Sequence, residues 1–334
     1  MKFKSDFLHK LYHYEYWPAW IFYMPVYLLW PYFAYRARSI LFFTIANPCI
    51  PHGGSFGESK ANILNLLNPK FLPLSFPVAS IDDLNKDFIF PVVAKPDIGE
   101  RGVNIRLIYT MEELEKYFHD LGRPFIVQEY LTSQFEAGVM VFRDPKTRQL
   151  QISSIVTKEF LKVRGDGVST IKKLMLKNPR SRFQWERLKN EIEANRILNK
   201  NEELLIEPIG NHSRGTAFIN SNDLATKELT SALDEALSPM KEFYFGRFDL
   251  KADSVEDLKL GQTIKIMELN GAFSEPGHIY DPKEKLWNAW KDLISHWIIL
   301  SKVCRDNYQR GYRATPFLEF ACLYKDYKKL EQMR

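Results

Sequence analysis

An α+β protein divided into two or three lobes is predicted, and three observations predict it. The chain has 334 residues, enough to bury a large core and to split into lobes. Short apolar runs broken by glycine or polar turns read as paired strands. Runs with a 3.6-residue apolar period lie between and after them and read as helices.

The clearest strand pair spans 243–250 and 263–269, joined by a polar connection over 251–261. Arg247-Phe248-Asp249 lies on the first strand and Glu268-Leu269-Asn270 on or just beyond the second. Residues two apart on a strand share a face. Arg247 and Asp249 therefore point one way, and so do Glu268 and Asn270. If the strands are neighbours, two carboxylates, an amide oxygen and a guanidinium converge. Hard oxygen donors of that kind suit Mg²⁺, which completes its shell with water and phosphate. The guanidinium is no ligand but can neutralise phosphate oxygens. An ordinary hairpin with a solvated polar face explains the same residues.

A second pattern runs from Phe90 to Ile105, where an apolar run delivers Lys95 before a turn containing Gly99, Arg101 and Gly102. Glycines admit close approach of phosphate to backbone amides, and Lys95 adds a point charge. No Gly-Lys-Ser/Thr follows, so this is not a Walker loop, and a plain tight hairpin is the alternative. A third strand, 125–131, ends in Gln128-Glu129-Tyr130-Leu131, and Glu136 follows before the run 139–142. Its backbone offers an edge for an adenine, and Glu136 a carboxylate for ribose hydroxyls. An edge strand with surface carboxylates is the competing explanation.

Taken in order, these elements resemble the ATP-grasp superfamily over residues 58–282. Within it they look most like the D-alanine–D-alanine ligase, glutathione synthetase and cyanophycin synthetase branches. The resemblance implies two α+β lobes clamping ATP between antiparallel sheets, after a short atypical N-terminal segment. It implies Lys60 and Lys95 as the nucleotide lysines and Gly99, Arg101 and Gly102 in the flexible glycine loop. Gln128, Glu129, Tyr130 and Leu131 would form the adenine hinge, and Glu136 would bind ribose. Arg247 would meet phosphate, and Asp249, Glu268 and Asn270 would hold Mg²⁺. Gly165 to Ile171 also resembles a segment of cyanophycin synthetases. In the resembling ligases a basic residue near 207–216 binds the carboxyl group to be phosphorylated. This implies Arg214 with His212 beside it, although a surface loop is the alternative. The loop after the metal Asn contacts the second substrate, which implies Ser274, Glu275 receiving an amine, and His278 assisting proton removal. The glycine loop is not serine-rich as in D-alanine ligases, and fewer than 60 residues precede Lys60 where the family usually begins with a βαβ domain.

The expected organisation is 1–57, an aromatic segment and reduced first region; 58–135, the small lobe; 136–282, the large lobe; and 283–334, C-terminal helices. The implied activity is an ATP-dependent carboxylate–amine ligase working through an acylphosphate, with small-molecule carboxylate and amine substrates. A kinase-like phosphotransferase and a non-catalytic nucleotide-binding regulator at a membrane are the rivals. The second rival is disfavoured because the metal set is complete.

Other elements follow from local pattern. Residues 39–46 read as a buried strand leading into the loop 47–57, at a position where α/β proteins often hold ligands. Residues 59–67 and 111–121 read as helices, the latter capped by Thr110. Residues 152–163 read as a strand carrying Lys158, Lys162 and Arg164, of which Lys158 is the preferred phosphate contact. Residues 169–176 begin a helix, 182–197 read as a charged helix, and Trp287 to Leu300 as an amphipathic one. A net charge of +5 suits an anionic ligand or a membrane surface and does not call for nucleic acid. Cys49, Cys304 and Cys322 lack metal-ligand spacing, and so sparse a set points to a reducing, cytoplasmic compartment.

Residues 17–35 carry no charge, hold three of the seven tryptophans, and are flanked by Lys2, Lys4 and Lys10 before and Arg36 and Arg38 after. Three readings stand: an interfacial anchor on the inner face of a membrane, a hydrophobic hairpin packed on the catalytic lobe or in a homodimer, and a true span. Pro18, Pro25 and Pro31 count against the span.

Overall fold

The computed structural model describes residues 2–99, 102–133 and 135–332. Four strands follow the N-terminal segment: β1 (Ser75–Val78), β2 (Val92–Pro96), β3 (Arg106–Ile108) and β4 (Phe125–Glu129). They form an antiparallel sheet in the order β1-β4-β2-β3. The helix Met111–Leu121 begins where Thr110 accepts a hydrogen bond from the Glu113 amide and ends at left-handed Gly122. Its Leu114 and Tyr117 pack on Val92, Ala94, Phe125 and Val127 to make the core of the small lobe.

The remaining strands are β5 (Phe135–Arg143), β6 (Leu150–Glu159), β7 (Lys162–Arg164), β8 (Glu203–Leu205), β9 (Ala217–Asn220), β10 (Phe245–Ala252) and β11 (Lys265–Asn270). Five of them form an antiparallel sheet, β11-β10-β5-β6-β9, while β7 and β8 pair separately over a small core of Leu161, Val163, Ile171 and Met175. Alternation sets the two faces of the large sheet. Ala137, Val139, Val141, Phe248, Leu250 and Ala252 join Leu229 and Leu233 of the helix Lys227–Ala236 in one core. Glu136, Arg247, Asp249 and Lys251 occupy the alternate positions, and with them the opposite face.

A second core covers part of that opposite face. Phe22, Val26, Phe33 and Ala37 of the N-terminal segment pack with Met140, Phe245, Leu293, Leu300 and Cys304. The long helix Leu286–Gln309 supplies the last three. The uncharged stretch is therefore helical, Ala19–Phe22 and Met24–Ala37, and one of its faces is packed on the protein. Among the described residues no helix is long and apolar enough to cross a membrane.

Four local expectations need correction. Residues 39–46 contain no strand; Phe42–Ile45 is a buried 3-10 turn. No strand edge is available there, and Asn307 Nδ2 instead donates to the carbonyls of Ile45 at 2.8 Å and Ala46 at 3.2 Å. Residues 182–197 break into short turns around Pro179–Arg182 and Trp185–Leu188. In 185–197 only Leu188 is buried, and an unpacked charged segment lacks the tertiary burial that holds most helices. The 152–163 strand divides at Phe160-Leu161 into β6 and β7. The 251–261 connection contains a helix, Val255–Leu260, capped by Ser254. The three cysteines are free thiols.

Candidate active site

The site begins with strand register. Asp249 lies opposite Glu268 and Arg247 opposite Asn270 on β10 and β11, so the four side chains converge as their spacing predicts. Asn270 Nδ2 donates to Asp249 Oδ2 at 3.1 Å, and Arg247 Nη2 donates to the same oxygen at 3.0 Å. On β5, Gly138 faces Asp249. A Cβ there would lie 3.4 Å from Asp249 Oδ1 and 3.0 Å from Val156, so a side chain would crowd the carboxylate.

Lys158 reaches the same point from β6, with Nζ 2.7 Å from Glu136 Oε1 and 3.3 Å from Asp249 Oδ1. Burial alone would raise the Asp249 carboxyl, but Arg247 and Lys158 outweigh it and hold it down at about 2. Burial likewise opposes the charges of Lys158 and Arg247, yet Asp249 beside them raises both. Arg247 Nη1 also donates to the Glu275 carbonyl at 3.2 Å. Its Nε is enclosed without a partner among the described residues.

The small lobe closes over this face. Lys95, at the end of β2, sends Nζ to Gln128 Oε1 at 3.1 Å and across the cleft to the Met267 carbonyl at 2.9 Å. Burial pushes its ammonium down to about 8; Glu268 opposes the fall and Lys60 adds to it. Lys60 donates to the Gly99 carbonyl and lies 3.7 Å from Glu268 Oε1. Asp97 ties the two lysine segments together, its carboxylate accepting from the Ala61 amide at 2.9 Å. On the other side of the turn, Arg214 Nη2 donates to the carbonyls of Gly102 at 2.8 Å and Ile105 at 3.4 Å, and Nη1 lies 3.5 Å from Glu207. Gly102 is left-handed, at φ +69, and packs on Asn211. Arg101 lies outside the described residues.

The structure thus brings together Lys60, Lys95, Gly99, Gly102, Glu136, Lys158, Arg247, Asp249, Glu268 and Asn270. Several sequence-predicted residues have partners that the pattern does not suggest. The side chain of Gln128 orients Lys95 and donates to Ser75 Oγ at 2.9 Å. Glu129 accepts from the Leu74 amide at 3.1 Å. Leu131 accepts from Lys251 Nζ at 2.9 Å, and that ammonium lies 5.6 Å from the Tyr130 ring. Arg214 is spent on the glycine turn rather than extended freely into the cleft. His212 Nε2 lies 3.1 Å from Glu15, which also accepts from Arg180 at 2.7 Å. Ser274 Oγ closes a local turn on the Gly271 carbonyl at 2.6 Å.

His278 is 2% exposed, with Nδ1 2.6 Å from Ser154 Oγ and Nε2 3.0 Å from Asp292, so both ring nitrogens already have partners within the protein. Glu275 is different: its carboxylate accepts from Tyr280 at 3.0 Å and from Tyr23 of the N-terminal segment. Burial, reinforced by Glu275, raises the Tyr23 hydroxyl well above its usual value, so it stays a donor. Sequence reasoning missed Tyr23, Glu15 and Lys251. Lys251 was within reach, because it continues the 247–249 alternation; an isolated tyrosine in an apolar run carries no such signal. The loop 47–57 does reach the site. Gly53 accepts from the Ala272 amide at 3.0 Å, and the Gly54 backbone packs on Gly271 directly after Asn270.

The donor set fits the ligands that the sequence motifs imply. Asp249, Glu268 and Asn270 offer hard oxygens on one face, and the enclosed Arg247 Nε is a donor suited to an anion. Among the described residues no cluster of three or more His, Cys, Asp or Glu forms a metal site, so a cation here would take two carboxylates and an amide and draw the rest from phosphate and water.

The four-stranded sheet carries Lys95 and the five-stranded sheet the paired carboxylates, and the two meet where Lys95 Nζ donates to the Met267 carbonyl. No protein-family profile matches the chain, and no curated protein matches it. Among solved structures it is similar to D-alanine–D-alanine ligase from Bacillus anthracis, at 15% identity over 78% of this chain and 72% of that one, with a TM-score of 0.42. A bifunctional glutathione synthetase from Pasteurella multocida is also similar, at 15% identity over 71% of this chain and TM-score 0.37, and the chain spans 36% of its length. An L-amino acid ligase from Bacillus licheniformis shows 14% identity over 67% of this chain and 42% of that one, TM-score 0.37. Likeness of this extent fixes no activity.

Proposed function

We propose that the chain is an ATP-dependent carboxylate–amine ligase. The observation that carries this reading is the register of β10 and β11, which sets Asp249 opposite Glu268 beneath the lysines of the small lobe. In this reading Lys60, Lys95, Lys158 and Arg247 take up phosphate charge, and Arg214 holds the backbone at Gly102 and Ile105 beside it. The backbone of 129–131 faces the base, steadied by Lys251, and Glu136 is positioned for the ribose. Asp249, Glu268 and Asn270 would hold Mg²⁺, which would supply positive charge to offset that of the phosphates.

A substrate carboxylate oxygen attacks the γ-phosphorus, and the bond to the ADP oxygen breaks. The amine then attacks the acyl carbon, phosphate leaves with the electron pair of its C–O bond, and the amine loses a proton as the amide forms. The chain's residues position the groups and stabilise charge, and no protein nucleophile is required. Glu275, held by Tyr23 and Tyr280, is the group offered to the amine. Release of ADP should need both a carboxylate and an amine. Amino acids, peptides and aminolipids would be screened by phosphate release, with products identified by mass spectrometry. ADP release with a single substrate that emerges phosphorylated would replace the ligase by a phosphotransferase.

The depressed Lys95 ammonium adds a pH prediction. Phosphate beside it favours the charged form, so the nucleotide complex holds a proton that the free protein loses above pH about 8. ATP binding should therefore weaken as pH rises through that value. At pH 8 it should take up about half a proton. Calorimetry in buffers of different ionisation enthalpy measures this directly. Uptake that persists in Lys95→Met would assign the proton to another group.

A further inference from the structure

The helix Met24–Ala37 has two apolar faces. One, carrying Val26, Phe33 and Ala37, is buried against the protein. The other comprises Met24, Tyr27, Leu28, Pro31, Tyr32 and Tyr35, spaced three and four residues apart, and is exposed along its length. Trp20 precedes this stripe at 65% exposure, and Leu28 and Tyr35 reach 73% and 74%. A contiguous apolar patch of this kind marks an interaction surface rather than ordinary exposure.

We propose that this stripe docks in the interface of an anionic lipid bilayer. Charge selects the partner. From residue 17 to residue 57 there is no Asp or Glu, while Arg36 and Arg38 close the stripe. Arg36 Nη1 donates to Tyr32 OH at 2.7 Å, and the Arg38 guanidinium lies 5.7 Å from the Tyr35 ring, so the cations sit beside the exposed tyrosines. Tryptophan and tyrosine with flanking arginine match the headgroup level, where an apolar ring meets a polar tip and anionic phosphates. At about 1.5 Å per residue the helix is too short to span a bilayer but can lie in its plane. Phe7, Leu8, Leu11 and Tyr12 of the helix Lys2–Tyr12 and Trp287 are further exposed apolar residues on elements next to this segment.

Docking is independent of the ligase reading, but one consequence rests on it. The segment that carries the stripe also supplies Tyr23 to Glu275 and Glu15 to His212. The lipid surface would then lie close to the substrate end of the cleft, and the preferred carboxylate or amine would be carried on an amphiphile.

The test is co-sedimentation of the full chain with phosphatidylglycerol/phosphatidylcholine vesicles, with phosphatidylcholine vesicles as control. Binding to the anionic vesicles should fall as salt is raised and should shift tryptophan emission to the blue. The triple variant Trp20→Ser, Leu28→Ser, Tyr35→Ser should partition at least about tenfold more weakly, because exposed apolar area drives insertion. ATP binding by the same variant should match wild type, which shows an intact fold and separates failure of docking from failure of the ligase reading. Absence of vesicle binding at low salt, or binding untouched by the triple variant, overturns the proposal. A wild-type dimer that the triple variant dissociates, without vesicle binding, overturns it in favour of a second copy of the chain.

Discussion

Glu268→Gln should lower turnover by at least about 100-fold and leave the melting temperature close to wild type. The side chain is 31% exposed, and its nearest cation, Lys60, is 3.7 Å away and also bonded to the Gly99 carbonyl. Its charge contributes little to stability in that setting. Asp249→Asn should lose activity to a similar degree but also lose stability. Asp249 is buried between Arg247 and Lys158, and its carboxyl is held at about 2 by them. Removing that charge leaves two enclosed cations with weaker compensation, from Glu136 beside Lys158 and from Glu275 and Glu268 near Arg247. Breaking such a pair costs about 3–5 kcal/mol. Thermal melts and turnover measured on both variants test the contrast. Near-wild-type turnover by folded Glu268→Gln would remove it from the metal set, and a wild-type melting temperature for Asp249→Asn would mean the cluster is open to solvent.

Lys95→Ala should weaken ATP binding and turnover together. Its ammonium is enclosed, fixed by Gln128 and bridged to the large lobe through the Met267 carbonyl. A hydrogen bond to a charged group in such a site contributes about 1.5–3 kcal/mol, so affinity should fall about tenfold to hundredfold. Gln128→Leu should have a smaller effect, since that amide orients the lysine without carrying charge. Calorimetric ATP titration and steady-state turnover on both variants would decide. An unchanged dissociation constant for Lys95→Ala would reduce the Lys95–Gly102 segment to an ordinary hairpin.

Much of the candidate site was legible along the chain because its chemistry is written in strand alternation. Arg247 and Asp249 share a face wherever their strand pairs, and Glu268 and Asn270 meet them once β11 is the neighbour. Glycines at 99 and 102 announced a turn beside Lys95. The same local logic placed the helix Met111–Leu121 and its Thr110 cap to the residue.

It failed where no local pattern exists. Residues 39–46 have strand composition, but Asn307 and the helix Leu286–Gln309, about 260 residues away, make them a buried turn. The 182–197 segment has helical composition and almost no apolar face to bury. His278 sits in a loop that the resemblance makes substrate-facing, and only packing supplies its partners Ser154 and Asp292. Arg214, His212 and Gln128 were placed near the site by the resemblance, and their hydrogen-bond partners come from elements 33 to nearly 200 residues distant.

The sequence by itself therefore determined the chemical inventory, the pairing of carboxylates with cations, and the uncharged aromatic segment, because composition and period-two or 3.6 spacing are local properties. Tertiary structure decided which charges are enclosed, which cations are already engaged, and which face of the aromatic segment is covered. Those depend on desolvation and on contacts between distant residues, and no window of sequence contains both partners.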